Sequence, residues 1–143
     1  MLILEPVSPG DYRKYYDLRW KVLRAPWNQP RGSERDAQDS DSTHLMIIDD
    51  RDTAIAVGRL NFNSIREARI RYMAVATGQQ RKGLGSRLLQ ALEEKAIMLG
   101  AACIVLEARE TALGFYRKQG YSAEGPGHML FNCISHVRMR KVL

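Results

Sequence analysis

The chain has 143 residues, 45% of them hydrophobic and 27% charged, with a formal net charge of +6. That length supports one domain with a real core and is too short for two ordinary ones, so residues 1–143 are expected to form a single domain. No run approaches the roughly 18 apolar residues of a membrane span, and the start, MLILEPVSPGDY, lacks the basic region and long apolar stretch of a secretion signal. A cytoplasmic protein with no membrane partner is therefore expected.

The excess of cations is compatible with a polyphosphate ligand, an acidic surface or simple solvation. The cations are scattered rather than gathered in a tail, and most aromatics fall into helical patterns instead of interleaving with exposed cations. Nucleic acid is accordingly not expected as a partner. Cys103 and Cys133 stand in apolar surroundings without a CxxC or Cys/His cluster. They read as core residues, with no disulfide and no metal site.

The opening LILEPV is a short apolar strand. SPGD then has the form of a helix start, with Ser8 as cap, Pro9 in the first turn and Asp11 closing a capping box. Tyr12, Tyr15, Tyr16, Leu18, Val22 and Leu23 give that helix a broad apolar face, and it ends before Pro26. Residues 28–42, NQPRGSERDAQDSDS, are polar and read as a long mobile loop. HLMIID and AIAVGRLNF form a hairpin across DRDT, and ARIRYMAVA supplies a third strand.

Leu84, Leu88, Leu92, Ala96 and Leu99 recur at helical spacing, with Gly100 as the stop. AACIVLEA is a buried-type strand, and ETALGFYRKQG is a short helix closed by Gly120. YSAEG is extended, GPGH is a turn, and MLFNCISHVRMRKV is the last strand. The order β-α-β-β-β-α-β-α-β-β defines an α/β protein with a central sheet.

The mouth of the second long helix is chemically unusual. QQRKGLGSRLL places Gly83 and Gly85 beside Arg81, Lys82 and Arg87, at a position where glycine weakens the helix and cations meet its positive end. A bound anion compensates both. It is not a Walker-type loop, because Leu84 follows Gly83 where Lys-Ser/Thr belongs, and Leu88 stands where a dinucleotide fingerprint needs its third small residue. What survives is a strand, a basic turn and a helix N-terminus whose free N–H groups suit phosphate oxygens. Close packing of helix on strand is the other reading of the glycines.

Gln80-Arg81-Lys82-Gly83-Leu84-Gly85 resembles the acyl-CoA signature Gln/Arg-x-x-Gly-x-Gly/Ala of the GNAT acetyltransferase superfamily. ALGFYRKQGY is similar to that superfamily's Ala-x-x-Phe-Tyr-x-x-x-Gly-Phe/Tyr helix. The element order agrees over essentially the whole chain. VLRAPW, HLMIID and ISHVRM look like a small single-domain bacterial branch of unassigned substrate.

The resemblance implies a GNAT-type mixed sheet of six to seven strands flanked by helices. It implies acetyl-CoA as cosubstrate, with Met73, Ala74 and Val75 pairing with its pantetheine arm. The pyrophosphate would lie on the amides of Arg81, Lys82, Gly83, Leu84, Gly85 and Ser86. It further implies direct acyl transfer to an amine of a small molecule or protein, with Tyr116 as general acid toward the departing thiolate. The alternative is a CoA-binding regulatory module without turnover.

Two departures stand out. Arg109 occupies a position where many relatives carry an asparagine that contacts the pantetheine, which a guanidinium can still reach with hydrogen bonds, and Arg69 one where histone-modifying relatives carry a glutamate base. Glu107, His44 and His136 are the remaining base candidates. Deprotonating a lysine at pH 7 costs roughly 4.6 kcal/mol, against about 1 for an α-amine, so a site without an evident base favours a low-pKa amine or deprotonation through water. The first helix, residues 28–42 and the approach to the last strand are expected to bind the acceptor, with Asp36, Asp39 and Asp41 read first as a solvated acidic loop and second as an attraction for a cationic amine. An exposed terminal strand would favour a homodimer.

Overall fold

Seven strands and three α-helices alternate as the hydrophobic pattern dictates in the computed structural model, which describes residues 1–143. Strand β1 (Leu2–Leu4) leads into α1 (Pro9–Leu23). The Ser8 hydroxyl accepts the Asp11 amide at 3.0 Å, and the Asp11 carboxylate accepts the amides of Val7 and Ser8 at 3.0 and 3.2 Å. This satisfies amides that the first helical turn leaves unpaired. Strands β2 (Thr43–Ile48), β3 (Ala54–Phe62) and β4 (Glu67–Val75) follow, then α2 (Leu84–Met98), β5 (Cys103–Arg109), α3 (Leu113–Lys118), β6 (Ser122–Leu130) and β7 (Ile134–Val142).

The sheet order is β1-β2-β3-β4-β5-β7-β6. Every neighbouring pair is antiparallel except β4 and β5. Alternation along the strands sends Leu45, Ile47 and Ala56 toward Leu84, Leu88, Leu89 and Leu92 of α2, with Phe115 and Tyr116 of α3 against the same cluster. Met46, Val57 and Ala74 face Tyr15, Leu18 and Leu23 of α1 on the opposite side. Three layers result. Gly58 permits the tight approach of α2, since a Cβ there would meet Leu92 Cδ1 at 2.9 Å and Leu88 Cδ2 at 3.3 Å.

Four expectations are corrected. Residues 28–42 are not a mobile loop. They hold a 3₁₀ turn over Ala37–Asp41 whose Asp39 accepts Arg19 Nη1 and Arg59 Nη1, each at 3.0 Å. Both arginines are 0% exposed. Buried guanidiniums demand carboxylate partners, so Asp39 serves the interior rather than solvent or an incoming amine, while Asp41 stays exposed. Asp36 likewise pairs with Arg59 at 2.6 Å and Arg71 at 3.4 Å.

The expected last strand is broken. β6 runs through GPGH, and the chain reverses at Phe131 and Asn132, with φ of +53° and +56°, before β7 begins. The Cys133 amide closes this turn on the Leu130 carbonyl at 3.1 Å. Two positive-φ residues in succession match the twist of a hairpin, but Phe-Asn lacks the glycine that usually announces such a turn. Cys133 is consequently exposed at the tip, whereas Cys103 is half-buried under Arg140.

Leu89 takes the place expected for Leu99 on the buried face of α2, and Leu99, beyond the helix end, is 51% exposed. Finally, β7 lies between β5 and β6. The terminal strand is no edge, and the free edges belong to β1 and β6.

Candidate active site

Between β3 and β4 the register slips. Val57 faces Ala74 and Arg59 faces Arg71, so Tyr72 and Met73 together oppose Gly58. Tyr72 takes φ +56°, the mark of a bulge, and bulges sharpen strand twist. On its other side β4 pairs with β5 only through Glu67, Ala68 and Arg69. The two parallel strands then part. Residues 70–75 thereby keep backbone groups on one edge without a strand partner.

The gap opens into a cleft of about 780 Å³ lined by Met73, Ala74, Val75, Gln80, Arg81 and Gly83 on one side. Leu84, Gly85, Ser86 and Tyr116 line the same cleft. Of the residues expected to meet the cofactor, Lys82 alone faces away, its ammonium reaching Gln79 Oε1 at 3.3 Å.

Gly83 caps α2 in the left-handed region at φ +77°, next to Arg81 at +64°. The first intrahelical bond runs from the Arg87 amide to the Gly83 carbonyl at 3.1 Å, so the amides of Leu84, Gly85 and Ser86 have no protein acceptor. Unpaired N–H groups at a helix N-terminus, open space at Gly83 and a bare strand edge beside them fit the diphosphate and amide-bearing arm of coenzyme A. Gly85 has a packing role as well, since a Cβ there would stand 3.4 Å from Phe115.

Tyr116 enters the cleft from α3, its hydroxyl 3.6 Å from Met73 Sδ. Burial pushes the phenol up to about 12, with Arg109 opposing the shift. Across the cleft Glu107 accepts Arg69 Nη2 at 3.1 Å, the His128 amide at 2.8 Å and His128 Nδ1 at 2.9 Å. Burial favours its neutral form, but the His128 contacts and then Arg69 hold its carboxyl below the usual range. Glu107 is thus an acceptor with its valences filled.

His136 stacks on His128 with ring centroids 4.1 Å apart. Its Nδ1 lies 3.1 Å from the carbonyls of both His128 and Ile134. Two carbonyls require a proton on Nδ1, which leaves Nε2 with its lone pair free. Burial, followed by the neighbouring charge of His128, lowers the His136 pKa. His44 lies elsewhere. It is buried, with Nε2 at 2.8 Å from the Asp39 carbonyl and Nδ1 at 2.7 Å from the Tyr15 hydroxyl, and is a structural residue.

Arg24, Trp27, His128 and Phe131 are functional candidates that the sequence did not single out. Arg24 and His128 line the cleft, while Trp27 and Phe131 approach each other at 6.2 Å. The only local signal was the position of Arg24 and Trp27 just after the first helix.

A mixed sheet whose two central parallel strands part beside an amide-rich helix mouth thus frames the cleft. Residues 12–121 match the acetyltransferase (GNAT) family. The chain is 27% identical over 124 residues to the uncharacterized N-acetyltransferase YjcF of Bacillus subtilis, covering 87% of each.

Its fold superposes on a Lactobacillus plantarum protein described as an N-acetyltransferase candidate with a TM-score of 0.87, at 25% identity, over 99% of this chain and 97% of the other. An aminoglycoside 6′-N-acetyltransferase in complex with coenzyme A superposes with a TM-score of 0.80 at 18% identity, over 99% and 97%. The chain belongs to the GNAT acetyltransferase family.

Proposed function

We propose that the protein is an acetyl-CoA-dependent N-acetyltransferase that passes the acetyl group directly to a primary amine of a small molecule or protein. The parting of β4 and β5 after Arg69, beside the unpaired amides of α2, carries this reading. Acetyl-CoA supplies an activated thioester. The edge of β4 at Met73, Ala74 and Val75 holds its arm in line, the amides from Arg81 to Ser86 hold its diphosphate, and Gln80 completes the turn. Positioning of this kind accounts for much of the acceleration in favourable cases.

Tyr116 acts on the leaving sulfur. A phenol near 12 stays protonated at every working pH, so its hydroxyl donates a hydrogen bond throughout. Complete transfer to a thiolate of ordinary pKa would be roughly 5 kcal/mol uphill, so Tyr116 stabilises the departing thiolate by its hydrogen bond. The amine gives its proton to a base in the site, and the released thiolate takes one from solvent. His136 is the base best arranged for the amine, with Nδ1 anchored and Nε2 free. Glu107 orients His128 beside it, and the bases proposed from Glu107 and His44 fall away.

The alternative, a CoA-binding module without turnover, is disfavoured by an intact hydroxyl and imidazole in one cleft. Calorimetry with acetyl-CoA, followed by thiol release on a panel of amines, tests the assignment. Uptake with amine-dependent thiol release is expected. Uptake without release on any amine would favour the silent module, and absence of uptake would end the acetyl-CoA reading.

A further inference from the structure

The half of the cleft beyond the 80–86 turn is cationic. Arg24, Arg69, Arg71 and Arg109 line it, with Glu107 as the only carboxylate. Two of these charges are already answered. Arg69 donates to Glu107 at 3.1 Å, and Arg71 reaches Asp36 at 3.4 Å.

Arg24 and Arg109 are not. Arg24 is only 8% exposed. Its Nε and Nη1 donate to the neutral carbonyls of Ser33 and Leu23, at 3.0 and 2.9 Å, and its Nη2 bonds to no protein atom. Arg109 is half-buried and makes neither a hydrogen bond nor an ion pair. Burial and then the positive charge of Arg24 both hold Arg109 below the ordinary arginine range. Glu34 is the carboxylate that acts on Arg24, from beyond ion-pair distance, and Arg109 has none, so two neighbouring, partly desolvated guanidiniums lack an ion-pair partner.

Their surroundings hold them in place. Arg24 lies 5.5 Å from the Phe131 ring centroid and Arg109 lies 4.7 Å from that of Trp27. Those two rings are 6.2 Å apart, so the guanidiniums stand over adjoining rings of one aromatic pair. Phe131 holds its place at φ +53°, a conformation that costs an L-residue roughly 1–2 kcal/mol and that glycine or asparagine would adopt more easily. A guanidinium held over a ring can still present its N–H fork for planar, bidentate recognition of carboxylate or phosphate. Arg109 offers its whole fork, and Arg24 adds the one nitrogen, Nη2, that Ser33 and Leu23 leave unused.

The diphosphate of the donor already has its own amides and Arg81 at the opposite end of the cleft. We propose that Arg24 and Arg109 bind a carboxylate or phosphate carried by the acceptor, so that the second substrate is an anionic amine and not a polycation. This rests on the acetyltransferase reading above and narrows it.

The test measures thiol release from acetyl-CoA with L-aspartate, L-glutamate and O-phosphoethanolamine. Each is set against its neutralised counterpart (the two diamides and ethanolamine), with spermidine and kanamycin alongside. Anionic members are expected to exceed their counterparts in kcat/KM by roughly tenfold or more, the worth of one charged hydrogen bond. The amino-acid and phosphoamine arms separate the two anions. Arg109→Gln, which removes the contact with Trp27 but no side-chain hydrogen bond or ion pair, should raise the acceptor KM by a similar factor and leave the calorimetric Kd for acetyl-CoA unchanged.

If none of these amines turns over, glutarate and inorganic phosphate are titrated into protein saturated with acetyl-CoA. Binding that Arg109→Gln abolishes supports the proposal, and binding of neither overturns it. Equal or better use of spermidine or kanamycin overturns it too, as does an Arg109→Gln variant whose defect is in acetyl-CoA affinity or that leaves the acceptor KM unchanged. In those cases the acetyltransferase reading survives, whereas failure to bind acetyl-CoA at all removes both.

Discussion

The Tyr116 hydroxyl meets Met73 Sδ at 3.6 Å, joining α3 to the bulged segment of β4 at the point where β4 and β5 have separated. A thioether is a weak acceptor, so the phenol gives up little when a better one arrives. Tyr116→Phe is expected to lower kcat by roughly tenfold to a hundredfold, at or below the usual range for general acids. The Kd for acetyl-CoA should stay nearly the same. Steady-state kinetics with parallel calorimetry will show it, and unchanged turnover would remove Tyr116 from the chemistry.

At Gly83 the left-handed backbone, φ +77°, faces open space, so a side chain there is strained and intrudes on the cradle. Gly83→Val should cost roughly 1–2 kcal/mol of stability or more. It should also weaken acetyl-CoA binding roughly tenfold. Gly32, at φ +100° in the 28–42 segment, supplies the control for strain alone. Gly32→Val ought to lose stability without losing affinity.

His136 works as a base only when neutral, and its pKa lies below the ordinary imidazole value. Protonation removes the lone pair, so the rate must fall with acid, and the fall should begin below pH ~6.5. In His136→Gln that acid limb should disappear from the pH profile of kcat/KM, together with much of the rate. A limb that persists unchanged in the variant assigns it to another group.

Burial alone would raise the Asp39 carboxyl, but the Asp36 amide, Arg19 and Arg59 together lower it below its free value. A depressed carboxylate stabilises the fold above its unfolded pKa near 3.9, and that contribution disappears as pH falls through the lower folded value. Asp39→Ala leaves two fully buried guanidiniums short of an anion and should cost about 3–5 kcal/mol at neutral pH. Urea unfolding at pH 7 and at pH 3 measures both effects, with the difference between variant and parent smaller in acid.

Gly58 sits where α2 crosses β3, and the added Cβ of alanine would lie 2.9 Å from Leu92 Cδ1 and 3.3 Å from Met73 Cγ. Leu88 and Leu92 are fully buried and have little room to yield. Gly58→Ala is expected to destabilise by about 1–3 kcal/mol. Because Met73 is one of the displaced neighbours, acetyl-CoA affinity should fall as well, which thermal unfolding and calorimetry on one sample will report.

The sequence by itself determined the local elements and the turn that lines one end of the cleft. The Ser8-Pro9-Asp11 helix start, the α2 periodicity and the 80–86 turn depend on hydrogen bonds and spacings within a few residues, so they are legible without tertiary information. Tyr116 was legible through its helix motif. What gathers at the cationic end of the cleft was decided only by tertiary structure. Arg24, Arg109, Phe131 and His136 come from the cap after α1, β5, the hairpin turn and β7, and nothing in their spacing along the chain announces that they meet. The turn at Phe131 and the ordering of residues 28–42 were hidden for the same reason. A positive-φ phenylalanine and a polar segment tied to two buried arginines are held by long-range packing and charge, which override local preference.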